Sequence, residues 1–132
     1  MSDSPYTFGQ AREKVREATR RQEAAEQFRV DVTKDWAEKE RAYRIALARR
    51  IVEVHAEGAA WTVAPDLARG DRAVADLRYA RDVAAGVKDA AESAMWRHTA
   101  DRRDLGRMVD WSCRRELAED PPQPRWSGRQ AA

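Results

Sequence analysis

The sequence predicts an all-α fold: two long antiparallel helices, a helical hairpin or coiled coil, joined by a short helical elbow and dimerising into a four-helix bundle. Three observations carry this expectation. Helix breakers are confined to a few places: Pro5 and Gly9, then Gly58, Pro65 and Gly70, then Pro121, Pro122, Pro124 and Gly128, with Gly86 and Gly106 inside an otherwise unbroken stretch. Apolar residues recur at steps of three and four, the spacing of one helix face, and no strand-like alternation is present. The chain of 132 residues is one domain's worth, 42% apolar and 36% charged. Its 25 basic residues nearly cancel its 23 acidic ones, unlike a wholly disordered chain.

The elements follow in order. Residues 1–9 read as a flexible N-terminus and 10–118 as a single helical-hairpin domain. The first helix is expected near 10–57, with Ala11, Val15, Ala18, Gln22, Ala25, Phe28, Val32, Trp36, Tyr43, Leu47, Ile51 and Val54 on its stripe. Val30-Asp31-Val32-Thr33 is rich in residues that disfavour helix, and Asp35 with Glu38 resembles a capping box, which leaves a break near 30–35 open. In the elbow, 58–70, Gly58 suits a left-handed helix end, Thr62 a cap, Pro65 a first turn and Gly70 a stop. Asp71 sits where an N-cap belongs. The second helix, near 71–119, carries Val74, Leu77, Ala80, Ala84, Val87, Ala91, Ala94, Leu105 and Val109 on one stripe, interrupted by His98. Arg72 with Asp76 and Arg78 with Asp82 have ion-pair spacing. Residues 119–132 hold three prolines and read as a disordered tail, in which Arg125-Trp126 resembles a short docking motif.

Two helices of this kind bury one face each. The alanines allow close approach but bury little area, and five tryptophans, Trp36, Trp61, Trp96, Trp111 and Trp126, need cover. A homodimer supplies it. Self-association is therefore expected.

Catalytic chemistry finds little to stand on. The two histidines lack the Glu-x-x-His pairs of a four-helix di-iron site: Glu53 and His55 point to different faces, and His98 with Asp101 has the spacing but no partner set. Cys113, the one cysteine, lies beside Arg114 and Arg115 and reads as a semi-buried helix residue. Glycine-rich phosphate loops and nucleophile elbows are absent. No enzyme, cofactor or metal is expected. There is no run of eighteen apolar residues for a membrane span, and Met1–Gln10 lack a secretory signal, so a cytoplasmic protein is expected.

Nucleic-acid binding is the alternative. Arg97, Arg102, Arg103, Arg107, Arg114 and Arg115 gather late in the second helix, with Trp96 and Trp111 interleaved. Arginines contact phosphates and aromatic rings stack on bases, so this mixture suits a single strand or a protein partner. Asp101, Asp104, Asp110 and Glu116 dilute the field. Residues 49–70 have the order of a helix-turn-helix, with a second helix too short for ordinary groove reading. Arginine outnumbers lysine 21 to 4, which is the mark of a GC-rich genome or of selection for bidentate contacts.

The stretch from Thr62 to Asp71, with Val74-Ala75-Asp76-Leu77-Arg78, Arg81-Asp82-Val83-Ala84, Ala100–Leu105 and Asp110-Trp111-Ser112, resembles small α-helical accessory proteins of actinobacterial phages and mobile elements. It covers about residues 36–118. The resemblance implies an accessory role in phage biology, near DNA replication or recombination, in the bacterial host cytoplasm, and it supplies no catalytic residues. The reading that emerges is a non-catalytic interaction or scaffold protein acting through self-association and an unidentified protein partner, with Trp36, Tyr43, Trp61 and Tyr79 around the elbow half.

Overall fold

A computed structural model describes residues 6–119. Within them the chain is all-α: α1 spans Phe8–Ala56, α2 Ala64–Arg69 and α3 Arg72–Glu119, and no strand is present among the described residues. No helix among them is long and apolar enough to cross a membrane. The expected tail, its Arg125-Trp126 motif and residues 1–5 lie outside the described residues.

α1 begins two residues before the sequence places it, at Phe8, so Phe8 and Gly9 belong to the helix. The cause is a reciprocal capping box. The Gln10 N–H donates to Thr7 Oγ1 at 3.3 Å, and the Thr7 N–H donates to Gln10 Oε1 at 3.0 Å. The Phe8 N–H donates to Glu116 Oε1 at 3.0 Å, which sets a carboxylate at the positive end of the helix. Thr7→Ala is expected to cost about 1 kcal/mol. Faster amide exchange over the first turn of α1 checks it.

The break left open near 30–35 does not occur; α1 is continuous there. The residues that compete with a helix are absorbed by it. Thr33 Oγ1 donates to the Arg29 carbonyl at 2.7 Å, Gln27 donates to Asp31 at 3.0 Å, and Lys39 holds Asp35 at 2.6 Å, all one turn apart.

In the elbow, Gly58 takes φ 111°, the left-handed end expected of it. Thr62 is not the cap of α2. Val63 holds that place without a side-chain bond, and Pro65 sits in the first turn. Gly70 closes α2 at φ −79°, a conformation any residue adopts. Asp71 caps α3 as expected: the Val74 N–H donates to Asp71 Oδ2 at 3.4 Å. Of the two expected ion pairs, Arg78 and Asp82 lie 3.9 Å apart. Arg72 and Asp76 form none among the described residues.

Packing divides the described residues into two units, one of residues 6–23 with 97–119 and one of residues 24–96. In the second unit, contacts between α1 and the segment from Asp71 onward run in opposite senses: Arg50 with Asp71, Glu40 with Arg81, Arg29 with Glu92. Its buried apolar side chains are Tyr43, Val54, Ala64, Ala68, Val74, Ala84, Ala91 and Met95. In the first unit Ala11, Ala18 and Ser112 are buried, and Arg102 Nε donates to Thr19 Oγ1 at 3.2 Å.

Covered positions in the second unit recur at steps of three and four. On α3, Val74, Leu77, Arg81, Ala84, Lys88, Ala91 and Met95 alternate strictly. On α1, Val32, Trp36, Lys39, Tyr43, Leu47, Arg50 and Val54 follow the same spacing with one repeated step of four, and Glu40, Ala46, Ile51, His55, Ala80, Ala85, Glu92 and Ala94 are part-covered beside them. This is a seven-residue repeat. Phe28 and Val87, placed on the stripes by the sequence, are instead exposed.

Candidate interaction surface

The second unit is held by cations laid against aromatic rings. Lys88 Nζ lies 4.2 Å from the centre of the Trp36 ring, and the Arg81 guanidinium lies 4.5 Å from that of Tyr43. Such contacts give a long cationic side chain a place at a covered position, its stem packed and its head paired. Arg81 also meets Asp82 at 2.7 Å and Glu40 at 3.4 Å, while Arg44 holds Glu40 at 2.7 Å. Nearer the elbow, Arg50 reaches Glu53 at 3.1 Å, Glu57 at 3.3 Å and Asp71 at 3.5 Å. The Arg50 Nε, though close to Asp71, is not aligned for a hydrogen bond.

These charges depend on pH with a definite sign. The hydrogen bond from Arg44 lowers the Glu40 carboxyl below its ordinary value; burial opposes this, and the nearby Arg81 charge adds to the lowering. The Arg81 guanidinium is raised, first by its hydrogen bond to Asp82. Glu40 therefore binds its proton less readily folded than unfolded. Its contribution to stability is complete above the unfolded-state value and is lost as pH falls through the folded-state one. Wild type is expected to be more stable than Glu40→Gln near neutrality. The difference should shrink on acidification, as read by urea midpoints across a pH series.

At the elbow, His55 and Trp61 stack with ring centres 3.6 Å apart and planes 18° from parallel. His55 Nδ1 lies 2.9 Å from the Ala59 carbonyl, which assigns the proton to Nδ1 as donor. Glu53 faces Arg50 and His55 faces Trp61, so the two point apart as the sequence expects.

The arginines singled out in the sequence do not converge on one face. Arg102 is turned to Thr19. Arg107 pairs with Asp104 at 3.5 Å, and Arg115 pairs with Glu119 at 3.0 Å while lying over the Trp111 ring at 5.6 Å. Arg97, Arg103 and Arg114 are exposed and form no ion pair among the described residues. On α3, Arg103, Arg107 and Arg114 share a side by helical spacing, and Arg102 turns away from Arg103. Trp96 is 60% exposed and belongs to the second unit; Trp111 is half-buried.

Two open hollows lie in the first unit. One, of about 330 Å³, is lined by Ala18, Arg21, His98, Asp101, Asp104, Leu105 and Met108. The other, of about 420 Å³, is lined by Arg12, Val15, Arg16, Gly106, Val109 and Asp110. Among the described residues no group of three His, Cys, Asp or Glu side chains is placed to hold a metal ion. Cys113 is half-buried.

The residues that the sequence reading missed are Arg50 and Arg81. Their signal was present: both fall on the seven-residue repeat, where an unpaired charge is costly and a charge therefore requires partners. Comparison with protein-family models, with curated proteins and with solved structures finds no match.

Proposed function

We propose that this chain is a non-catalytic helical interaction protein, an antiparallel hairpin that self-associates and presents its outer helix faces to a protein partner. One observation carries the reading: small residues are inside and large apolar ones are outside. Among the described residues six of the ten buried apolar ones are alanines, whereas Phe28, Ile45, Val52, Trp61, Leu67, Tyr79 and Trp96 each expose more than two-fifths of their surface. Burying such side chains contributes roughly 1.5–3 kcal/mol each, a gain this chain leaves unused when alone. The pairing of Arg50, Glu40 and Arg29 with Asp71, Arg81 and Glu92 supports the hairpin.

The tryptophan argument takes a modified form. Trp36 and Trp111 are covered in part by Lys88 and Arg115 of the same chain, so the demand for cover falls on Trp61 and Trp96. The resemblance of residues 36–118 to phage accessory proteins fits a partner in replication or recombination.

Light scattering behind a sizing column tests the reading, with and without a single-stranded oligonucleotide. A mass twice 15.1 kDa, unchanged by the oligonucleotide, is expected. A monomer overturns self-association. A complex that forms at low salt and dissolves at high salt replaces the protein partner with a nucleic acid, because phosphate contacts release counterions.

A further inference from the structure

Three tryptophans of this chain are met in one way. Trp36 lies under Lys88, Trp111 lies under Arg115, and Trp61 is stacked on His55. Each ring takes a cationic or imidazole side chain of the same chain. In the first unit two residues of that kind stand without a ring. The hollow of about 330 Å³ has Ala18, Leu105 and Met108 as its apolar wall, with Arg21, His98, Asp101 and Asp104 at its rim. His98 is half-buried, Arg21 and Asp101 are exposed, and none of the three has a hydrogen-bond or ion-pair partner among the described residues. A thioether and a leucine side chain form a favourable bed for an aromatic ring. The volume is within the range that seats a small ligand.

Phase, reach and charge identify the occupant. Glu119 follows Asp101 by eighteen residues, five turns at about 3.6 residues each, so α3 ends on the face that carries the hollow. Trp126, the aromatic residue of the segment after Glu119, stands seven residues further on. An extended chain covers about 3.3 Å per residue, so Trp126 reaches back as far as about 23 Å. Met108 and Leu105 lie about 17 and about 21 Å before Glu119 along the helix, within that reach. Pro121, Pro122 and Pro124 oppose a helix that would shorten it. Arg125 precedes Trp126, so the ring brings a guanidinium with it. This hollow has two carboxylates to one arginine, whereas the other, of about 420 Å³, has Arg12 and Arg16 to one carboxylate, Asp110. Charge therefore favours the first.

We infer that Arg125-Trp126 of the same chain docks in this hollow, with the Trp126 ring on Leu105 and Met108 beside Arg21 and His98, and the Arg125 guanidinium on Asp101. The inference goes beyond the self-association proposed above and does not depend on it.

Fluorine NMR of the full chain, grown with 5-fluorotryptophan, tests it. Trp126→Phe identifies the Trp126 resonance by its loss. The shift of that resonance on exchanging water for heavy water reports the exposure of the ring, and the same chain unfolded in urea supplies the fully exposed value. Trp126 is expected to shift much less folded than unfolded; equal shifts overturn the inference. Asp101→Arg, a change at an exposed rim residue, is expected to raise the folded shift toward the unfolded one, and Arg125→Asp in the same chain to lower it again. A protected ring that Asp101→Arg does not release overturns the inference. Asp110→Arg, at the other hollow, is expected to leave the shift unchanged; release by Asp110→Arg in place of Asp101→Arg seats the ring in that hollow and overturns the assignment. Protection that vanishes on dilution means that a second copy supplies Trp126, and it overturns docking within one chain. Light scattering reports self-association separately, so either reading can fail alone.

Discussion

Replacing Tyr43 by alanine is expected to lower the unfolding free energy by about 3 kcal/mol, a large part of the stability of a chain this size. Tyr43 is 6% exposed and is the largest side chain among the buried apolar residues. Its ring supports the Arg81 guanidinium at 4.5 Å, and that guanidinium also meets Asp82 and Glu40. Truncation therefore opens a cavity and withdraws the ring from a cation that sits at a covered position. The cation–π contact adds about 1 kcal/mol to the packing loss. Urea unfolding followed by circular dichroism measures the effect: the midpoint falls and the slope stays, because the surface exposed on unfolding changes little. Val52→Ala supplies the comparison. Val52 is 60% exposed, and its loss is expected to stay within about 0.5 kcal/mol. Similar midpoints for the two variants would show that Tyr43 does not anchor the second unit.

The residues most plainly legible in the sequence are those whose behaviour is decided locally. Gly58 ends α1 because only its backbone takes a positive φ readily, and Asp71 caps α3 through its own side chain. Thr7 and Gln10 were equally local. They were overlooked because Gly9 between them reads as a breaker, although a glycine in a first turn costs little once both ends of the box are bonded. The break left open near 30–35 does not form, for a different reason. Thr33 and Asp31 do hydrogen-bond nearby, as their chemistry requires, but to groups one helical turn away, so the bonds reinforce the helix. Phe28 marks the limit of reading stripes by apolar residues alone. Between Ala25 and Val32 the seven-residue repeat passes through Arg29, which reaches Met95 Sδ at 3.9 Å and Glu92 at 3.7 Å, and Phe28 is left outside. The same rule hid Lys39, Arg50, Arg81 and Lys88, charged residues at covered positions. The arginines from 97 to 115 are neighbours in sequence, but successive residues on a helix point about 100° apart, so Arg102 and Arg103 diverge.

The alanines of the second unit give the other large effect. Ala84 and Ala91, seven residues apart, are 5% and 4% exposed, and both follow the phase of Val74, Leu77, Arg81 and Lys88. Ala91→Asp is expected to cost about 3 kcal/mol or more, because it buries a carboxylate with no cation assigned to it and with Glu92 adjacent. Ala91→Leu separates two accounts of why the residue is small. If the backbones are drawn close at this point, the added atoms have no room, and the leucine is expected to destabilise by about 2 kcal/mol. If alanine merely under-fills the space, leucine buries additional apolar surface and raises the unfolding midpoint. The structure favours the first outcome. Met95, one turn on, is already folded against Arg29, and Lys88, one turn back, lies across Trp36, so the space on either side of Ala91 is occupied by long side chains with partners of their own. A midpoint that falls for both substitutions, steeply for aspartate and less for leucine, would mean that the alanines set the separation of α1 and α3 in this unit, and that the cations above and below them are long because they must reach past it.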